Sequence, residues 1–226
     1  MPAKTAPQPR AFEPRWPASV AVLVAVALYV SLPSKLLPDQ HASGLTRIVV
    51  PVLELALLVP LAVTAPHRHA EESGLRRKAA IALIAIISVV NVITLAILIH
   101  LLVTTGGASV SRQLLLAAGQ IWWTNVIVFG LWYWELDGGG PPKRLSNPGA
   151  PRDFAYVQMT DPEVAMPGWR PHFVDYLYVS FTNASAFSPT DTMPLTRWAK
   201  LLMLAQSTIS IVTLLLVAAR AVNILR

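Results

Sequence analysis

The sequence predicts an all-α, polytopic integral membrane protein with five transmembrane helices and one re-entrant helix and loop. Of the 226 residues, 54% are hydrophobic and 13% are charged, whereas about a quarter of the residues of a soluble domain are charged. Five apolar runs approach the roughly 20 residues that cross a bilayer. A short polar segment separates the last two runs and predicts the re-entrant part, with six full spans as the alternative.

The predicted spans, in chain order, are Pro17–Pro33, Arg47–Ala65, Ala79–Val103, Gln113–Trp134 and Leu195–Leu225. The first run ends without a clean small-x-small cleavage site, so we interpret it as a retained span. Most tryptophans stand at span ends, where the headgroup boundary favours them. Trp122 and Trp123 stand inside a run, which favours packing against a neighbouring helix.

These spans divide the chain into two regions. Residues 1–111 form an N-terminal three-span region, and residues 112–226 form a two-helix, pore-like module. The module contains a loop at 135–172 and the re-entrant segment at 173–194. The loop includes the sequence GGGPP, which breaks helices and predicts a linker or turret over the re-entrant segment.

The composition excludes several classes of function. The chain has no cysteine, which excludes disulfides, thiolate metal sites and cysteine nucleophiles. Its net charge of +6 comes from Lys and Arg in short loops beside apolar runs, a distribution that orients membrane spans. It forms no basic stripe with interleaved aromatics, so we do not expect nucleic-acid binding. The sequence carries no catalytic, cofactor or metal-binding motif and no regularly spaced arginines of a voltage sensor, so we predict none of these functions.

The segment DYLYVSFTNASAFSPTDTMPLT, from Asp175 to Thr196, carries a pattern of acidic, aromatic and hydroxyl residues. The order and spacing of these residues resemble those in the pore module of tetrameric potassium-type cation channels. There, a short pore helix leads into a filter whose backbone carbonyls replace the ion's water shell. The resemblance rests on Asp175, Leu177, Tyr178 and Ser180 of the pore helix. With the run of small polar side chains that follows, the predicted pore-helix residues are Asp175, Tyr178, Ser180, Thr182 and Asn183.

The stretch in the position of the filter departs from the channel pattern. Its residues are Ser185, Ala186, Phe187, Ser188, Pro189, Thr190 and Asp191. Both filter glycines are missing, and Pro189 has a fixed φ, so the alternating backbone that turns carbonyls inward is not expected. We therefore predict a weakly selective cation path, with Asp191 forming a ring of negative charge at its mouth.

The wider chain resembles a family of uncharacterised bacterial multi-pass membrane proteins, a domain of unknown function. The resemblance rests on D-x-L-Y-x-S-F-T at Asp175–Thr182 and on F-x-x-x-D at Phe187 and Asp191. It implies location in the bacterial inner membrane and brings no activity. The expected partners are the lipid bilayer, monovalent cations and sister copies of the chain, four of them in a pore.

The sequence leaves the orientation open. A cytoplasmic N-terminus puts most Lys and Arg inside, but with five spans it also puts the re-entrant segment on the cytoplasmic face. The pore loop of potassium channels enters from outside. Three arrangements remain: an inverted pore, a chain with its N-terminus outside, or a sixth crossing by residues 172–188.

Polar residues within the apolar runs give two further candidates. Gln206, Ser210 and Thr213 recur at helical spacing on one face of the final span. They either line a conduit or form interhelical hydrogen bonds. Glu54 is an intramembrane acid, which either titrates or binds a cation, or else fixes helix packing.

Three functions fit these observations. The first is a weakly selective, cation-conducting homo-oligomeric pore without a voltage sensor. The second is a non-conducting membrane scaffold or accessory protein, in which Ser-Pro-Thr-Asp at 188–191 is only a turn and helix cap. The third is a proton-linked transporter that uses Glu54.

Overall fold

The computed structural model describes residues 13–32, 48, 51–52, 56, 74–104, 108–147, 149–161, 163, 166–185 and 192–224. These residues are mostly helical, as predicted. The helices are α1 (Trp16–Val30), α2 (Gly74–Thr104), α3 (Ala108–Leu136), α4 (Pro141–Ser146), α5 (Val157–Thr160), α6 (Phe173–Ala184) and α7 (Arg197–Ile224).

Three helices, α2, α3 and α7, are long and apolar enough to cross a membrane, and α1 is a shorter apolar helix. They correspond to four of the five predicted spans. The remaining predicted span, Arg47–Ala65, lies almost entirely outside the described residues.

Helix α3 is the centre of the fold and packs against α1, α2, α6 and α7. Its last residues lie beside the beginnings of α1 and α2. The Trp134 indole donates to Glu13, just before α1, at 2.5 Å, and Arg77 in α2 lies 3.7 Å from the Glu135 carboxylate. Helices α1 and α2 therefore both run antiparallel to α3. We call the end of the bundle where α3 finishes the Asp137 end.

Helix α6 begins at the Asp137 end and extends into the bundle between α3 and α7. Near its beginning, the Tyr176 hydroxyl donates to Asp137 at 2.6 Å. One turn later, the Ser180 hydroxyl donates to the Val126 carbonyl at 2.6 Å. Since Val126 lies ten residues before the end of α3, α6 reaches about 15 Å along that helix.

The chain that follows α6 is back at the Asp137 end by residue 192. Strand β2 (Thr192–Pro194) pairs antiparallel with β1 (Phe154–Tyr156). The Phe154 amide donates to Asp137 at 3.2 Å, and α7 starts three residues after β2. Thus α6 begins, and the next described residues lie, at the same end of the bundle. Residues 186–191 lie between these elements and outside the described part of the chain.

The predicted loop at 135–172 contains more structure than its composition indicated. Its first two residues complete α3, and it also holds a 3-10 turn at Asp137–Gly139, α4, β1 and α5. The glycine run permits this because Gly138, Gly139 and Gly140 all have positive φ, which folds the chain back on α3. Phe154 and Tyr156 of β1 then join the hydrophobic core.

Candidate functional site

A buried network of polar side chains joins α3, α6 and α7, and Gln206 is its centre. The Gln206 amide nitrogen donates to the Ser180 carbonyl at 2.8 Å and to the Ser180 hydroxyl oxygen at 2.6 Å. Its amide oxygen accepts from the Tyr133 hydroxyl at 2.6 Å and from the Asn183 amide at 2.9 Å. All hydrogen-bonding capacity of this side chain is therefore used between the three helices.

The network continues along α7 on both sides of Gln206. The Asn183 amide also donates to the Met203 carbonyl at 3.0 Å, and the Ser207 hydroxyl donates to Asn183 at 3.0 Å. Further along α7, the Asn125 amide donates to Ser210 at 2.9 Å. Because these contacts lie among apolar side chains, they fix the depth and rotation of α6 between the two long helices.

The predicted pore-helix residues have different roles in α6. Asp175 caps the helix, since its carboxylate accepts from the His172 amide at 2.7 Å. The Thr182 hydroxyl donates to the Tyr178 and Val179 carbonyls of its own helix. Ser180 and Asn183 belong to the network, and Tyr178 is 48% exposed on the outer face. Ser185, the first filter-like residue, ends the helix and donates to the Phe181 carbonyl at 2.7 Å.

The polar stripe predicted on the final span faces the inside of the protomer. Gln206 and Ser210 are fully buried and Thr213 is 1% exposed. Thr213 donates to the Ile209 carbonyl of α7, whereas Gln206 and Ser210 bond to other helices. This placement fits interhelical hydrogen bonding, the alternative to pore lining. The opposite face of α7 is exposed and mainly apolar, with Leu204, Thr208 and Leu215 along it.

Aromatic side chains secure the deep half of α6 to α3. Phe181 lies edge-on to Trp122, with ring centroids 5.8 Å apart, and stacks on Trp123 at 5.7 Å. The tryptophan pair inside α3 thus packs against a neighbouring helix, as its position within an apolar run indicated. Trp123 remains 48% exposed beside α6, so about half of this side chain lies on the outer surface of the protomer.

A cluster of charged residues at the Asp137 end was not predicted from the sequence. The Asp137 carboxylate is fully buried and accepts from the Asp153 and Phe154 amides, from Arg152 and from the Tyr176 hydroxyl. Burial raises the pKa of the Tyr176 phenol well above its usual range, so its hydroxyl stays protonated and donates to Asp137. Asp137 therefore holds β1 and the first turn of α6 against the end of α3.

Arg144 completes this cluster from α4. Its guanidinium donates to the Trp134 and Asp137 carbonyls at 2.6 and 2.8 Å, and to Glu13 at 2.9 Å. The guanidinium also lies over the Tyr176 ring, 5.3 Å from the centroid. Arg144 is only 3% exposed. It therefore neutralises the buried Glu13 carboxylate and links Glu13 to the end of α3.

Asp153 links the start of α7 to the same cluster. One carboxylate oxygen accepts from the Gly138 amide at 2.9 Å and the other from the Thr196 hydroxyl at 2.7 Å. The Thr196 hydroxyl oxygen in turn accepts from the Ala199 amide in the first turn of α7. The beginnings of α6 and α7 are therefore both fixed to the end of α3. The sequence offered one clue, since acids follow directly on an apolar span and a basic residue follows the glycine turn.

The remaining predicted site residues lie outside the described part of the chain. They are Ala186, Phe187, Ser188, Pro189, Thr190, Asp191 and the intramembrane acid Glu54. Within the ranges that the structure describes, no group of three His, Asp or Glu side chains is arranged to hold a metal ion.

Comparisons of the chain with protein-family models, with curated proteins and with solved structures find no significant match.

Proposed function

We propose that the protein is a homo-oligomeric membrane pore that conducts monovalent cations with weak selectivity and has no voltage sensor. The observation that carries this proposal is the path of the chain around α6. A short helix begins at the Asp137 end and extends between two long helices, and the next described residues, Thr192–Pro194, lie at that same end.

The length of α6 supports a re-entrant segment rather than a sixth crossing. Its 12 residues span about 18 Å, well short of the roughly 30 Å hydrocarbon layer. The contacts of Ser180 and Asn183 with α3 and α7 lie about a third of the way along those helices from the Asp137 end. A helix that stops at such a depth leaves backbone groups in the membrane interior, where lipid cannot satisfy them.

Sister copies would provide the cover that this arrangement requires. Backbone without regular structure at membrane depth is stable only against protein or a water-filled cavity. In one chain, only 22% of the apolar part of α7 is buried, and the outer face of α6 exposes Val174 and Tyr178. A ring of copies would bury these faces and enclose residues 186–191 around an axis.

The direction of α6 favours cations over anions. Its C-terminal turn lies deep in the bundle, and the carbonyl end of a helix carries a partial negative charge. The residues after this turn offer hydroxyls and backbone carbonyls, and then the Asp191 carboxylate. These oxygen ligands suit a monovalent cation that has lost part of its water shell.

One observation favours a non-conducting scaffold or accessory protein instead. The polar residues of α7 bond within the protomer, and its exposed face carries few polar groups. An apolar inner wall conducts ions only if it is wide enough to stay hydrated. In the alternative, the exposed face of α7 would bind another membrane protein.

Subunit counting and ion flux together test the proposal. The protein is extracted into native-lipid particles to measure its mass, and reconstituted into liposomes loaded with K⁺ or Na⁺ to measure efflux. We expect four copies and efflux of both ions. Protein-free liposomes and the variant Ser188→Trp, which would fill the pore axis, serve as controls. A single copy without efflux would remove the pore and leave the accessory role.

A further inference from the structure

Among the residues that the structure describes, the basic residues are distributed unevenly between the two ends of the helix bundle. Every Lys or Arg whose side chain the structure describes belongs to the Asp137 end, in the first turns of α1, α2 and α7 or in the loop after α3. They are Arg15, Arg77, Lys78, Lys143, Arg144, Arg152, Arg170, Arg197 and Lys200.

The opposite end holds the last turns of α1, α2 and α7 and the first turns of α3. In the described part of the chain, the basic residues there are Arg112 and Arg220, of which the structure describes the backbone only. His100 and Thr104 lie in the last turns of α2 at this end and are exposed. Most basic residues of the described part of the chain therefore lie at the Asp137 end.

The basic residues at the Asp137 end fall into a buried and an exposed group. Arg144 and Arg152 pair with Glu13 and Asp137 inside the charged cluster. By contrast, the side chains of Lys78, Lys143, Arg197 and Lys200 are exposed, and they form no ion pair with another described residue. These four side chains come from α2, α4 and α7, so they stand around the end of the bundle as a basic rim.

We infer that the Asp137 end is the cytoplasmic face of the protein, and that the basic rim binds the anionic headgroups of the cytoplasmic leaflet. Short loops rich in Lys and Arg stay in the cytoplasm when a membrane protein is inserted. That leaflet has a negative surface potential, which attracts basic residues beside a span. The loop at 137–172 is short enough for this rule, and acidic residues have little influence on orientation.

This inference selects one of the three arrangements that the sequence left open. Helix α6 begins at the Asp137 end, so it enters from the cytoplasm, and the C-terminus of α7 lies on the other side. The inference stands without ion conduction. If the proposed pore exists, its filter-like segment opens towards the cytoplasm, the reverse of a potassium channel.

The absence of cysteine allows a direct test of the orientation. Glu163→Cys places one thiol in the exposed loop at the Asp137 end, and Thr104→Cys places one at the exposed end of α2. In intact cells, a membrane-impermeant maleimide should label Thr104→Cys and spare Glu163→Cys. Inverted membrane vesicles should give the reverse pattern, and both thiols should react in detergent. Labelling of Glu163→Cys in intact cells, alone or together with Thr104→Cys, would overturn the inference.

The rim itself is tested by lipid retention. Purified protein is incubated with mixed micelles of phosphatidylglycerol and phosphatidylcholine, and the bound lipids are counted by mass. Each charge beside the membrane contributes about 1 kcal/mol, or about fivefold in binding. The pair Lys143→Gln and Lys200→Gln removes two charges and should therefore lower the preference for phosphatidylglycerol by about 25-fold, while Lys143→Arg with Lys200→Arg retains it. Equal preference in the two paired variants would remove the role of the rim.

Discussion

Replacement of Gln206 by methionine tests whether the polar network fixes α6 between the long helices. Methionine has a similar length and helix propensity, so the change removes the amide without creating a large cavity. Gln206 is fully buried and makes four hydrogen bonds, to Ser180, Tyr133 and Asn183. The variant leaves their polar groups in an apolar interior with fewer partners.

The expected loss follows from the number of these bonds. Interhelical hydrogen bonds in membrane proteins contribute about 0.6 kcal/mol each on average, so four of them contribute about 2.4 kcal/mol. Groups left buried without partners add to this loss. We therefore expect Gln206→Met to lower the free energy of unfolding by about 2–4 kcal/mol.

Unfolding in mixed micelles of mild detergent and increasing dodecyl sulfate measures this change, with fluorescence of the seven tryptophans as the signal. Thr208→Val is the matched control, because Thr208 is on the same helix, is exposed and bonds only to the Leu204 carbonyl of its own helix. Its unfolding should stay within about 0.5 kcal/mol of the natural protein. If Gln206→Met and Thr208→Val have the same free energy of unfolding, the network does not fix α6.

Three further predictions concern the Asp137 end and the filter-like segment. Asp137→Asn should lower the free energy of unfolding by about 3 kcal/mol, since it breaks a buried ion pair, and should expose the following loop to proteases, whereas the exposed Glu163→Gln should change neither. Gly140 has φ +95°, and an added Cβ would lie 2.9 Å from a backbone carbonyl oxygen, so Gly140→Ala should cost about 3 kcal/mol. At Gly168, with φ +75° and open space around it, the same change should cost about 1 kcal/mol, and similar thermal shifts for both variants would contradict the steric argument. In liposomes, Asp191→Asn should lower the ratio of cation to anion flux by about tenfold, with Glu163→Gln as the control, and an unchanged ratio would remove the acidic ring.

The long helices could be predicted because their physical cause is local in the sequence. About 20 consecutive apolar residues are sufficient to define a span, and α2, α3 and α7 follow from such runs. The common face of Gln206, Ser210 and Thr213 was also predictable, since it depends only on helical periodicity. Periodicity does not identify the neighbour of a face, so the choice between a conduit and another helix required the structure.

The charged cluster could not be predicted, because its contacts connect distant parts of the chain. Glu13 and Arg144 are 131 residues apart, and Asp137 and Tyr176 are 39 apart. The glycine and proline residues between Asp137 and Arg144 indicated a loop, and they do form a turn. Local patterns placed an acid and a base at the two ends of that turn, but they did not indicate that both are buried or which residues they contact.

The link between Glu13 and Arg144 has a consequence for how the chain is made. A ribosome releases Glu13 long before it has synthesised Arg144, and Thr196, which bonds to Asp153, comes later still. The early helices must therefore enter the translocon before Glu13 can pair with Arg144. Glu13 lacks this partner until the second half of the protein has been synthesised. A nascent chain that is arrested shortly after α3 should therefore be inserted into the membrane without this ion pair. Quality-control proteases should then be able to reach its first residues.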